Sequence, residues 1–74
     1  MLFFNEWRAA ARAATAAERI VSTAFMQYFN GQGSAPSDEQ IALAKRRRAV
    51  ADDLFSLAMK NWDRQREQPG PLDE

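Results

Sequence analysis

The sequence contains no cysteine and no histidine, and those two absences exclude a good deal of chemistry. Without cysteine there is no disulfide framework, and without either residue there is no ordinary zinc, haem or iron–sulfur site. Nucleophilic catalysis through Ser–His or Cys–His pairs is excluded for the same reason. No run of about 18 apolar residues exists, so no segment reads as a membrane span. Charge of one sign is also lacking: 10 Lys+Arg face 10 Asp+Glu, which argues against the broad positive field of a typical nucleic-acid binder. Glycine and proline number three each, and all six fall in two short stretches, residues 31–36 and 69–71.

Outside those stretches lie two long segments, 5–30 and 37–68, free of Gly and Pro and without strand-like alternation. Alanine fills seven of the nine positions from Ala9 to Ala17, a strong helix-forming composition. Asn30-Gly31 suits a left-handed helix stop. Ser37-Asp38-Glu39-Gln40 fits a capping box, with Asp38 and Glu39 favoured by the helix dipole in the first turn and Arg64 and Arg66 by its other end. Asn5 reads as the N-cap of the first helix, after an apolar Phe4. The pattern predicts an all-α, two-helix antiparallel hairpin as a single domain, with an apolar arm at 1–4, a loop at 31–36 and a non-helical tail at 69–74.

At about 100° per residue, the apolar positions of each helix cover an arc near 200°. Helix 1 carries Trp7, Ala10, Ala14, Ala17, Val21, Phe25 and Tyr28 within its arc; helix 2 carries Ile41, Ala44, Val50, Leu54, Phe55 and Trp62. One helical neighbour requires a stripe of only about 100°, so each helix expects at least two neighbours. A hairpin supplies one. Small chains also lack the core to stand alone without staples, and 74 residues without cysteine leave association as the remaining device. The expected architecture is a dimer of hairpins forming a four-helix bundle, or a complex with another helical protein. Its interface residues would be Trp7, Ala14, Val21, Phe25, Tyr28, Val50, Leu54, Phe55 and Trp62, with Trp7 and Trp62 plugging the end away from the loop.

The basic run Lys45-Arg46-Arg47-Arg48 spreads around the helix. Lys45 and Arg46 land on the polar side, Arg47 and Arg48 inside the apolar arc. If the chain reverses at residues 33–34, Glu18, also inside its apolar arc, lies level with residue 49. This predicts an interior Glu18–Arg48 ion pair, within the hairpin or across a dimer seam, serving register and partner choice. An alternative reading gives Lys45, Arg46 and Arg47 to phosphate contacts in a dimeric nucleic-acid binder. Residues 37–74 hold eight Asp+Glu against seven Lys+Arg, which blunts such a field.

The arm Met1-Leu2-Phe3-Phe4 is too short for a signal-peptide core and lacks a basic region before it. It reads as a plug over the open end of the hairpin, against Trp62 and the returning tail at Leu72. The other option is a docking patch of Leu2, Phe3, Phe4 and Trp7 for a protein or a membrane surface. Neither a phosphate-binding glycine loop nor an inward-facing Glu-x-x-His set is present. The expectation is a cytoplasmic, non-enzymatic interaction or assembly protein without cofactor or metal.

Overall fold

A computed structural model describes residues 2–67, with side chains to residue 66. They form two α-helices, α1 (Phe4–Phe29) and α2 (Asp38–Glu67), packed as a hairpin. The tail at 69–74, and with it the docking of Leu72, lies outside the described residues.

The turn is built from local chemistry. Gly31 takes φ +75°, and the Gln32 N–H bonds the Gln27 carbonyl at 2.7 Å while the Gly31 N–H bonds that of Tyr28 at 3.0 Å. This is a Schellman closure, which satisfies carbonyls that the helix end would otherwise orphan. On the far side of the loop the Ser37 Oγ accepts from the Gln40 N–H at 3.1 Å, and Gln40 Oε1 accepts from the Ser37 N–H at 2.9 Å. The capping box is therefore closed in both directions. Pro36, immediately before it, is buried.

The first helix begins differently from the sequence reading. Asn5 is not its N-cap. The helix starts at Phe4, and the preceding Phe3 adopts φ 69° with no side-chain cap. The cause is tertiary: the Leu2 N–H donates to Asn61 Oδ1 of α2 at 3.0 Å, and the Trp7 N–H reaches the Phe3 carbonyl at 2.8 Å. Anchoring the arm to α2 adds two residues, Phe4 and Asn5, to the start of the helix.

The two helices meet along a seam of alanines. Ala14, Ala17, Ala44, Ala51 and Ala58 are the buried hydrophobic residues among those described, and no large side chain is fully buried. On α2 the seam recurs every seventh residue, a step that returns to nearly the same helical face. Alanine lets two backbones approach at the short end of the usual range of about 8–10 Å. The gain in apolar burial is small. A methyl group contributes about 0.8 kcal/mol, against about 1.5–3 kcal/mol for a fully buried Leu or Phe.

Candidate protein interface

With the seam occupied by alanine, the large apolar side chains lie on the two flanks of the hairpin. Their placement follows from the helical period: positions on either side of the alanine stripe point to opposite flanks. On one flank α1 presents Phe4, Trp7, Glu18 and Phe25, and α2 presents Ile41, Arg48, Phe55 and Trp62. Rings meet here, Phe4 with Trp7 at 5.7 Å and Trp7 with Phe55 at 5.6 Å between centroids. We call it the aromatic flank. The other, aliphatic flank carries Ala10, Ala13 and Ile20 from α1 with Leu43, Val50, Leu54 and Leu57 from α2.

Both flanks are partly exposed: Trp7, Phe25 and Ile41 on one and Leu43 and Leu54 on the other are half-buried, and several of their neighbours are open. Trp62 is 47% accessible, Phe55 44%, Val50 53%, Leu57 41% and Ile20 57%. Each carries a shallow open groove. On the aromatic flank a groove of ≈ 460 Å³ is lined by Glu18, Val21, Ser22, Phe25, Ile41, Ala44, Lys45, Arg48, Ala49 and Asp52. On the aliphatic flank a groove of ≈ 320 Å³ is lined by Ala10, Ala13, Leu43, Arg46, Arg47 and Val50.

The charges divide between the flanks. Arg48 and Glu18 form a two-point ion pair within the hairpin: Nε to Oε2 at 2.9 Å and Nη2 to Oε1 at 2.7 Å. Their side chains remain 38% and 44% accessible. The pair is thus not interior in a single chain, because the alanine seam brings the helices together beneath it and leaves both long side chains above the groove. Arg48's hydrogen bonds hold the Glu18 carboxyl below its ordinary value, partial burial opposes them, and the guanidinium's charge adds to the lowering. Arg48 is shifted upward mainly by the same hydrogen bonds, and Asp52 adds a smaller attraction. Arg47 and Arg46 border the aliphatic groove, whose lining contains no carboxylate. Lys45, Arg46 and Arg47 are all exposed, and among the described residues none of the three belongs to an ion pair.

The expected interface residues do not form one surface. Trp7, Phe25, Phe55 and Trp62 lie on the aromatic flank, and Val21 borders its groove. Val50 and Leu54 belong to the aliphatic flank. Tyr28, 49% accessible, packs on Phe29 near the loop at 5.5 Å. Ala14, at 0% accessibility, is consumed by the seam and is closed to any partner. Trp7 meets Phe55, and Trp62 follows about two turns further along the same face of α2, toward the open end. The arm divides too: Phe3 is half-buried, while Leu2 remains 64% accessible.

Two contributors were missed by sequence reasoning. Thr15 Oγ1 lies 3.5 Å from Arg48 Nη2; its position three residues before Glu18, on the same helix edge, was the available signal. Asn61 anchors the arm through a backbone amide, for which the sequence offers no signal. Among the described residues there is no group of three or more metal-ligand side chains and no helix long and apolar enough to cross a membrane. No protein-family model, curated protein or solved structure matches the chain.

Proposed function

We propose that the protein is a non-enzymatic interaction or assembly module, which works by laying the flanks of its hairpin against other helices, first of all those of a second copy. The observation that carries this reading is the division of side chains by size. Alanine fills the buried seam, and Ile20, Val50, Phe55, Leu57 and Trp62 stay more than 40% accessible. Soluble chains rarely expose contiguous apolar patches of this kind unless something covers them. Helix-on-helix burial would give the hairpin the second neighbour that its wide apolar arcs require. The exposed arginines then act on choice of partner, since an unmatched charge at a helix interface penalises the wrong one.

Sedimentation equilibrium at micromolar concentration tests the reading. A dimer that persists from low to moderate salt is expected for apolar association. A folded monomer without self-association would refute the self-association on which this reading rests. Phosphate binding through Lys45, Arg46 and Arg47 would instead appear as affinity for nucleic acid that falls steeply with salt.

A further inference from the structure

The two flanks differ in charge, and charge decides which of them accepts a second copy. A face two helices wide and about 40 Å long, at about 1.5 Å per residue, would bury roughly 800 Å² per copy. That is the size of a standard stable interface, and either flank could supply it. The aliphatic groove presents Arg46 and Arg47 with no carboxylate in its lining. A second copy laid there brings two more arginines to a groove whose lining has no carboxylate at their level. The aromatic groove presents Glu18 and Arg48 side by side, each still more than one-third accessible, so a second copy brings both signs.

Building on the reading that the hairpin self-associates, we propose that a second copy docks on the aromatic flank. The two-fold axis runs along the hairpin, so that α1 of one copy lies on α2 of the other. Rotation about such an axis preserves height along the bundle. Arg48 then stands opposite Glu18 of the partner subunit, and the four side chains close into a ring of alternating charge. A two-fold axis perpendicular to the helices at that level would set Arg48 against Arg48 of the partner subunit. The lengthwise axis avoids this clash, and like the perpendicular one it keeps every neighbouring helix antiparallel, so charge is what separates the two. The same operation lays Phe4 and Trp7 of α1 against the partner's Phe55 and the partner's Trp62 at the open end. The ring sits mid-flank, where a mismatched charge costs a wrong pairing most.

The test uses a double exchange, E18R together with R48E, made in one chain. This variant keeps opposite charges at 18 and 48 within its own hairpin, and its helicity by circular dichroism reports whether it folds. It should form homodimers as wild type does. Mixed with wild type, however, it would place Arg opposite Arg and Glu opposite Glu across the interface. The expected result, read by native mass spectrometry of a mass-labelled mixture, is self-sorting into two homodimers, with the mixed dimer depleted at least about 10-fold. The single reversals E18R and R48E should each dimerise weakly alone and recover a one-to-one dimer when combined. V50K, on the aliphatic flank, should leave the dimer affinity within about threefold.

Statistical mixing of wild type and double exchange would overturn the assignment while leaving self-association standing. Loss of the dimer in V50K would move the interface to the aliphatic flank, with the same consequence. A wild-type chain that is folded and monomeric would overturn both the assignment and the reading beneath it.

Discussion

The seam and the flanks of this hairpin follow opposite rules. At the seam the side chains are as small as a helix interface permits, and they are buried. On the flanks they are large and aromatic or branched, and they are exposed, like Val50 and Trp62, or only half-buried, like Trp7, Phe25, Ile41 and Leu54. A hairpin meant to stand alone would place its leucines and phenylalanines between its helices, where each contributes about 1.5–3 kcal/mol. Here that contact is given to alanine methyls. The seam thus suits close approach of two backbones, and under the proposed reading the larger apolar contribution is what a neighbour would supply.

The comparison breaks most readily at the seam. Ala51→Leu forces a branched side chain into a site that is 1% accessible and should destabilise the fold by about 1–3 kcal/mol, measured by urea unfolding. Gly31→Ala comes next: no atom lies within 4 Å of the added methyl, but φ is +75°, so the left-handed backbone alone should cost about 1–2 kcal/mol. Ser37→Ala opens the capping box and should cost about 1 kcal/mol, visible as lost helicity by circular dichroism. These two turn positions act locally and should give the same loss whether or not the chain is associated. Val50→Thr, on a flank position 53% accessible, should change unfolding of the dissociated chain by less than about 0.5 kcal/mol.

The smallest expected effect concerns pH. Because folding lowers the Glu18 carboxyl from its ordinary value of 4.5, its contribution is complete above that value and is lost as pH falls through the lowered one. The stability difference between wild type and Glu18→Gln should therefore be constant near neutrality and close on acidification. Urea titrations at neutral and strongly acidic pH measure it.

What was legible in the sequence was what depends on neighbours along the chain. The Ser37–Gln40 box and the Gly31 stop are set by residues within a turn of each other, and both closed as read. The Glu18–Arg48 pairing needed only an approximate antiparallel register, because a long guanidinium side chain spans an offset of a residue or two. Trp7 was less forgiving. Ring contacts require closer alignment than the approximate register gave, so the Trp7–Phe55 contact was not legible. The start of α1 was misplaced because its determinant, the bond from Leu2 to Asn61, joins residues 59 apart. The width of the apolar arcs was legible. That they divide into a buried alanine stripe and two distinct flanks depends on which small residues the other helix selects.

The central claim is that this hairpin draws its stability from covering a flank, and the concentration dependence of its thermal unfolding tests that most directly. If association supplies the stability, Tm measured by circular dichroism should rise steadily as chain concentration is raised, by mass action. A cooperative transition at the same Tm across the whole concentration range, in a chain that sediments as a monomer, would contradict it.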